Sequence, residues 1–154
     1  DSLKPMMSEC LENGKGVIVL SATSNPEGAA LQKATSNSET VAASIWRSLS
    51  ELNAVTAGPA ERFGSFGAVL GATLNLNGFG LQSVMEGQPE SATPILAPGF
   101  GAQGAQLSDS RQLFGAGSAQ VIHSVSRSVL QAGPSGMPKA IDAAVAELAA
   151  GLAN

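Results

Sequence analysis

Four short and almost continuously apolar runs divide the chain, and segments with helical spacing lie between them. The runs occupy residues 16–20, 67–73, 94–97 and 119–125, and each has the length of a strand. Strands that are apolar on both faces and alternate with helices are typical of a parallel sheet covered by helices. The pattern therefore predicts an α/β fold built from four strand–helix units, within a single domain of residues 1–154.

The segments between the runs carry apolar residues three and four positions apart, which is the spacing of one helix face. Ser36 and Glu39 have the spacing of a capping box, and this predicts that a helix begins there. The last helix is amphipathic and carries Ile141, Val145, Leu148 and Leu152 on its apolar face. Such helices cover the faces of a parallel sheet.

Charge and composition exclude several classes of function. The 154 residues carry a formal net charge of −4 without any run of lysines or arginines, so no nucleic-acid binding is expected. Cys10 is the only cysteine, which excludes an internal disulfide and a cysteine-rich metal site. No apolar run approaches the roughly 20 residues that span a bilayer, and no charged-then-apolar leader opens the chain. A cytoplasmic protein without a membrane partner is therefore expected.

The residues that follow the third and fourth runs form the most distinctive chemical pattern. A glycine-rich segment with a polar amide, residues 98–104, follows the third run, and Ser126 and Arg127 follow the fourth. In α/β folds, functional residues lie just beyond the carboxyl ends of the strands. Glycines let backbone N–H groups approach an anion, and a guanidinium adds a bidentate charged contact. The pattern predicts a site for a phosphorylated small molecule rather than for a protein partner.

Residues 99–104 also match the G-x-G-x-x-G pattern of dinucleotide-binding folds. Those folds place the motif after the first strand and an acidic residue about 20 positions later. Here the motif follows the third run, and the next run ends at Ser126 and Arg127, so the order favours the phosphate site of a (β/α)8 barrel. The plainer alternatives are a tight turn for residues 99–104 and a surface ion pair for Arg127. Because Gln103 and Arg127 follow adjacent strands, phosphate binding is favoured over these alternatives.

Four segments together resemble the orotidine 5'-phosphate decarboxylase family, in the bacterial branch often called type 2. They are residues 21–28 (SATSNPEG), 69–73 (VLGAT), 96–104 (LAPGFGAQG) and 126–134 (SRSVLQAGP). The resemblance implies a carboxy-lyase of de novo pyrimidine biosynthesis, which converts orotidine 5'-phosphate to uridine 5'-phosphate and CO2. It also implies a (β/α)8 TIM barrel, a homodimer, and no metal or organic cofactor.

The resemblance assigns substrate contacts to five residues of this chain. Ser24 matches the family's loop serine, which contacts the pyrimidine edge, and Pro98 matches the proline that borders the pocket of the departing carboxylate. Gln103 matches the phosphate-binding glutamine, and Gly104 beside it is expected to offer its backbone N–H. Arg127 matches the phosphate-binding arginine.

The family's catalytic motif, Asp-x-Lys-x-x-Asp, does not occur in this chain, whose aspartates are Asp1, Asp109 and Asp142. No catalytic residue is therefore assigned. A full (β/α)8 barrel has about 250 residues, so the chain is expected to form about the second half of one, with the motif upstream. The chain is expected to be inactive alone and to pair with the missing amino-terminal half. Phe100 stands where the family usually has a smaller aliphatic residue.

Two other functions stay open at this point. One is another phosphate-binding barrel enzyme, similar to ribulose-phosphate epimerases, which needs metal ligands or a different acid–base set. The other is a non-catalytic half-barrel that binds a nucleoside monophosphate. His123, the only histidine, lies inside the fourth run and is interpreted as a hydrogen-bonded strand residue rather than a catalyst. Ser24 lacks the G-x-S-x-G setting of a nucleophile.

Overall fold

The computed structural model describes residues 2–58, 63–86 and 93–153 of the chain. Its strands are β1 (Val17–Ala22), β2 (Thr35–Ser36), β3 (Glu39–Thr40), β4 (Phe66–Leu70), β5 (Ile95–Pro98) and β6 (Val121–Ser124). Its α-helices are α1 (Lys4–Glu12), α2 (Pro26–Gln32), α3 (Val41–Thr56), α4 (Leu81–Glu86), α5 (Ser110–Phe114), α6 (Arg127–Leu130) and α7 (Gly133–Ala153). Short 3₁₀ segments occupy Leu76–Phe79, Leu107–Asp109 and Gly115–Gln120.

Four of the strands form one parallel sheet in the order β1-β4-β5-β6, while β2 and β3 form a small antiparallel hairpin. The β5–β6 pairing runs from Ile95 opposite Val121 to Pro98 opposite Ser124. The predicted α/β fold with four parallel strands is thus confirmed. The last strand begins at Val121 rather than at residue 119, because a 3₁₀ segment comes directly before it.

Helices pack on one face of this sheet and enclose the apolar core. The core contains Trp46 and Leu49 of α3, Phe66 and Ile95 of the sheet, and Phe114 of α5, all of them buried. Burial of a large apolar side chain stabilises a fold by roughly 1.5–3 kcal/mol. This packing is therefore the main favourable contribution that holds the helices on the sheet.

The opposite face of the sheet carries an apolar row, with one side chain from each strand. The strand register places Leu20, Val69, Leu96 and Ile122 side by side in this row. Leu20 is 63% exposed and Ile122 is 46% exposed, whereas Val69 is buried between its neighbours. The two ends of the apolar row, on the edge strands β1 and β6, thus remain open to solvent.

A buried side-chain amide joins α3 to the amino-terminal edge of the sheet. Asn53 Oδ1 accepts a hydrogen bond from the Phe66 N–H (3.0 Å), and Asn53 Nδ2 donates to the Phe66 carbonyl oxygen (2.7 Å). The same Nδ2 donates to Thr93 Oγ1 (3.0 Å), which also pairs with Ser50 Oγ (3.0 Å). A Cβ on Gly64 would lie only 2.2 Å from Asn53 Oδ1. This network fixes the start of β4, and the segment before β5, against one helix.

The predicted capping box at Ser36 and Glu39 is wrong. The two residues pair with each other across the β2–β3 hairpin, so they precede α3 instead of opening it. The helix begins after Thr40, whose Oγ1 accepts a hydrogen bond from the Ala43 N–H (3.0 Å) and donates to the Phe79 carbonyl oxygen (2.5 Å). Thr40, four positions after Ser36, is thus the cap instead, because its side chain is also anchored by a tertiary hydrogen bond.

The apolar face expected for the last helix is only partly covered in α7. Leu148 packs against the core, and Gly151 lies so close to Ser108 that a Cβ would come within 2.2 Å of its carbonyl oxygen. Ile141 and Val145 are instead 46% and 62% exposed. The helix comes after β6, which is an edge strand, so the described residues place no further strand–helix unit beside Ile141 and Val145. Within the described residues, no helix is long and apolar enough to cross a bilayer.

Replacement of the Asn53 amide tests the network at the amino-terminal edge. We expect Asn53→Leu to lower the free energy of unfolding by roughly 2–4 kcal/mol, because the Phe66 N–H and carbonyl remain buried without partners. Urea denaturation followed by circular dichroism measures the change.

Asn13→Ala is the control for that variant, because the Asn13 side chain bonds only to Glu9 at the exposed end of α1. Its free energy of unfolding is expected to change by no more than about 0.5 kcal/mol. An equal loss of stability in the Asn53 and Asn13 variants would contradict the role given to Asn53.

Candidate functional site

Backbone hydrogen bonds hold the carboxyl ends of the strands side by side. The Gly71 N–H donates to the Ala22 carbonyl oxygen (3.0 Å), and the Ala72 N–H donates to the Pro98 carbonyl oxygen (2.8 Å). Pro98 in turn lies opposite Ser124 in the β5–β6 pair. All four strand ends that the sequence marks as functional are therefore brought to one edge of the sheet, as the parallel arrangement requires.

The segment after β5, residues 99–104, folds into a closed turn that we call the glycine loop. The Gly101 N–H donates to the Ala105 carbonyl oxygen (2.9 Å), and the Ala105 N–H donates to that of Gly99 (3.2 Å). Gly99, Gly101 and Gly104 have φ values of +121°, +72° and +108°. Glycine adopts such angles without the steric cost of a Cβ. The three glycines are therefore needed for the shape of the loop.

The glycine loop lies between the ends of β4 and β6. A Cβ on Gly99 would meet Thr73 Cγ2 at 3.3 Å, and a Cβ on Gly101 would meet Ser128 Oγ at 2.5 Å. Ser128 directly follows Arg127, the first residue of α6. The close approach of Gly101 thus brings the loop that carries Gln103 against the segment that carries Arg127.

Three of the residues expected to contact substrate have exposed side chains without a protein partner. Ser24, Gln103 and Arg127 make no side-chain hydrogen bond or ion pair with any other residue that the structure describes. The ion pair considered as the plainer alternative for Arg127 is therefore not found among the described residues. A guanidinium has the geometry to bind a carboxylate or a phosphate through two parallel N–H donors.

The backbone donors of the glycine loop differ from the expected one. The Gly104 N–H donates to the Gly101 carbonyl oxygen (2.9 Å) inside the loop. Within the described chain, the N–H groups of Ala102 and Gln103 donate no hydrogen bond. The N–H groups of the loop that remain available to an anion are therefore those of Gln103 and Ala102, one and two positions before Gly104.

The candidate site is long and has two chemically different ends. Ser24 follows β1 at one edge of the sheet, and Arg127 follows β6 at the other. Three inter-strand spacings of about 4.8 Å separate these strands, or roughly 14 Å along the sheet. One end offers a hydroxyl, and the other offers a guanidinium and an amide. Pro98, half-buried at the end of β5, lies between them. Such an edge suits an elongated ligand with one anionic end.

His123 lies beneath the glycine loop as a hydrogen-bonded strand residue, in agreement with its interpretation from the sequence. Its Nε2 pairs with the buried Ser110 Oγ (2.7 Å), and its ring contacts the Phe100 ring at a centroid distance of 5.2 Å. Phe100 is 3% exposed and points into the core rather than toward the loop surface. Loss of solvent around the imidazole lowers the pKa of His123.

Gln32 is a supporting residue that the sequence reasoning missed. Its buried side chain bonds to Thr23, the residue just before Ser24. A glutamine at the end of a short predicted helix carries no sequence signal for this role. Within the described residues, no three histidine, cysteine, aspartate or glutamate side chains lie close enough together to hold a metal ion.

Solved structures place the chain in the (β/α)8-barrel class. A crystal structure from Streptomyces avermitilis, assigned as an orotidine 5'-phosphate decarboxylase, matches 99% of this chain with a TM-score of 0.81 and 39% identity. Another from Toxoplasma gondii, assigned as an orotidine-monophosphate decarboxylase, matches 97% of the chain with a TM-score of 0.71 and 25% identity. The chain covers 51% and 53% of these two structures, so its fold is about half of such a barrel.

The model of the orotidine 5'-phosphate decarboxylase / HUMPS family matches residues 1–137, and the chain belongs to this family. Proteins named orotidine 5'-phosphate decarboxylase are similar to it: that of Salinispora arenicola is 42% identical over 134 residues, and that of Streptomyces coelicolor is 44% identical over 135 residues. Each match covers 86% of this chain. The chain spans only 44% of the length of either relative.

The free energy of unfolding of the chain is expected to depend on pH through His123. Because burial lowers its pKa below the ordinary value of about 6.5, the unfolded chain takes up a proton at a higher pH than the folded chain does. The contribution of neutral His123 to the free energy of unfolding is therefore complete above a pH of about 7. It is lost as the pH falls below about 6.5 toward the pKa of His123 in the folded chain.

Comparison with His123→Gln isolates this effect. The free energy of unfolding of the wild type minus that of the variant is expected to be smaller near pH 5.5 than near pH 7.5. Denaturant titrations at the two pH values measure both proteins. A difference that stays the same at the two pH values would contradict the assignment to His123.

Proposed function

We propose that the chain is the substrate-binding part of an orotidine 5'-phosphate decarboxylase, a carboxy-lyase that converts orotidine 5'-phosphate to uridine 5'-phosphate and CO2. The observation that carries the proposal is the pair of exposed side chains of Gln103, on the glycine loop, and Arg127, at the start of α6, which make no hydrogen bond or ion pair with other described residues. The glycine loop and the start of α6 are in close contact. The family and the names of the relatives support this reading over other phosphate-binding barrels. The reaction belongs to pyrimidine nucleotide synthesis, which we place in the cytoplasm.

At the phosphate end, Arg127 provides the positive charge, and the glycine loop provides N–H donors with a fixed orientation. A guanidinium binds two phosphate oxygens through parallel N–H donors. The Gln103 amide and the free N–H groups of Ala102 and Gln103 bind the remaining oxygen. Gly104 contributes by its positive φ (+108°), which shapes the loop, and its N–H reaches the phosphate only if its bond to Gly101 opens.

At the other end, Ser24 contacts the pyrimidine edge, and Pro98 borders the pocket into which the carboxylate leaves. The Ser24 hydroxyl both donates and accepts, so it matches the mixed donors and acceptors of a pyrimidine base. Pro98 has no N–H and no polar side chain, and its half-buried ring offers an apolar wall. A carboxylate loses little there by leaving as neutral CO2.

The proton donor comes from the remainder of the barrel, because this chain has no Asp-x-Lys-x-x-Asp sequence. Binding energy at a remote phosphate contributes to catalysis when it orders groups around the reacting atoms. The apolar row from Leu20 to Ile122 supports this partition, since an exposed row of this kind requires a covering partner. We propose that the other half of the barrel covers the row, that the complete enzyme is a homodimer, and that it uses no cofactor.

Loss of the guanidinium tests the phosphate site. In the complete enzyme, Arg127→Ala is expected to lower kcat/KM by roughly 30- to 150-fold, or about 2–3 kcal/mol, because a charge-assisted contact to the substrate phosphate is removed. Initial rates of orotidine 5'-phosphate decarboxylation measure the loss.

Arg111→Ala is the matched control for Arg127→Ala. Arg111 is also exposed, but it lies in α5 and donates to the Leu152 carbonyl oxygen (3.3 Å). Its removal is expected to leave kcat/KM within about twofold of the wild type. An unchanged kcat/KM in the Arg127 variant would remove that residue from the phosphate site.

The partition of binding and chemistry predicts the behaviour of the chain by itself. We expect the purified polypeptide of residues 1–154 to show no decarboxylation above background, because it supplies no lysine for proton transfer at the strand ends. The complete enzyme, assayed at the same concentration, is the positive control. Turnover by the chain alone would refute the assignment of the proton donor to the remainder of the barrel.

A further inference from the structure

The loop that carries Ser24 is held by one buried side-chain amide. Gln32, at the end of α2, is 9% exposed and reaches back to Thr23 at the end of β1. Its Oε1 accepts a hydrogen bond from the Thr23 N–H (3.0 Å), and its Nε2 donates to Thr23 Oγ1 (2.8 Å). Both polar atoms of the amide are thus used on the single residue that precedes Ser24.

The hydrogen bonds continue past Ser24 to the other side of the loop. Thr23 Oγ1 accepts from Gln32, so its own proton is available to Asn25 Oδ1, which it contacts. The Asn25 Nδ2 then donates to Glu27 Oε2 (3.4 Å). The residues before and after Ser24 are therefore connected through one ordered chain of donors and acceptors that starts at Gln32.

The Gln32 amide packs closely over Gly28, beside the Asn25 side chain. A Cβ on Gly28 would lie 3.1 Å from both Gln32 Nε2 and the Asn25 side chain, so the two side chains fill the space over the first turn of α2. Ser24 itself is exposed, and its hydroxyl makes no hydrogen bond with any other described residue. A fixed backbone beneath a free hydroxyl is typical of a binding group positioned by its surroundings.

We infer that Gln32 is a positioning residue for the pyrimidine contact of Ser24. This inference rests on the proposed function and adds a residue that acts only through another. A serine side chain has a single χ1 torsion, so the position of its hydroxyl is determined by the backbone that carries it. An error of about 1 Å in that position is enough to lose a contact made in the reacting complex. Arg127, with a long side chain on another loop, does not depend on Gln32.

Uridine 5'-phosphate and ribose 5-phosphate separate an effect on the base contact from an effect on the phosphate contact, because only the first ligand carries a base. In the complete enzyme, Gln32→Leu is expected to raise the Kd for uridine 5'-phosphate by roughly tenfold and to leave that for ribose 5-phosphate within about twofold. Isothermal titration calorimetry with the two ligands measures both constants. Equal weakening of the two ligands, or no change for either, overturns the inference.

Asn53→Leu is the matched control, because it also removes a buried amide that pairs with a backbone N–H, but at the opposite edge of the sheet. It is expected to lower stability without changing the ratio of the two dissociation constants. A change in that ratio equal to that of Gln32→Leu overturns the inference.

Thr23→Val is the milder variant should Gln32→Leu fail to fold. It keeps the hydrogen bond of the Thr23 N–H and removes the hydroxyl. It is expected to weaken the binding of uridine 5'-phosphate but not that of ribose 5-phosphate.

A double variant tests whether Gln32 acts through Ser24. Ser24→Ala removes the contact itself, so Gln32→Leu added to it is expected to weaken uridine 5'-phosphate binding no further. Effects that multiply in the double variant overturn the positioning role. A wild-type enzyme that binds ribose 5-phosphate and uridine 5'-phosphate equally well overturns the proposed function, whereas a normal preference for uridine 5'-phosphate in Gln32→Leu overturns only the inference.

Discussion

Parallel pairing of four strands is the constraint on which the rest of the structure depends. Because the strands run in one direction, every carboxyl end lies at one edge of the sheet and every amino end at the other. The hydrogen bonds from Gly71 to Ala22 and from Ala72 to Pro98 extend this order beyond the strands themselves. Ser24 and Arg127, which are far apart in the sequence, therefore lie at the same edge of the sheet. The packing of helices against the sheet keeps them there.

Among the residues that the structure describes, a buried helix amide bonds to the backbone at each edge of the sheet, with the same chemistry and a different consequence. Asn53 pairs with the backbone of Phe66 at the amino edge, where no expected substrate contact lies, and its effect is on stability. Gln32 pairs with Thr23 at the carboxyl edge, beside a residue expected to touch substrate. The topology of the sheet, rather than the type of side chain, therefore decides which of the two is relevant to binding.

The sequence was sufficient to predict the four strands of the parallel sheet and the glycine loop, because buried parallel strands are continuous apolar runs and positive φ values favour glycine. It was insufficient where tertiary neighbours decide the outcome. Thr40 opens α3 in place of Ser36 because of its bond to Phe79, a residue 39 positions away. Gln32 had no local signal, since its role exists only once α2 folds back onto the end of β1. The exposure of Val145 likewise depends on which elements lie beside α7.

The unpaired guanidinium of Arg127 has a consequence for how an anion reaches this edge. The chain carries a net charge of −4, so its field at long range repels an anionic ligand. At physiological ionic strength, both this repulsion and the attraction to one guanidinium are screened over a Debye length of about 8 Å. Salt therefore acts in opposite directions on the two stages of capture by this surface: it relieves the repulsion that slows approach, and it weakens the final contact. An anionic ligand therefore reaches this edge by diffusion without electrostatic steering, and it is recognised only at close range by Arg127.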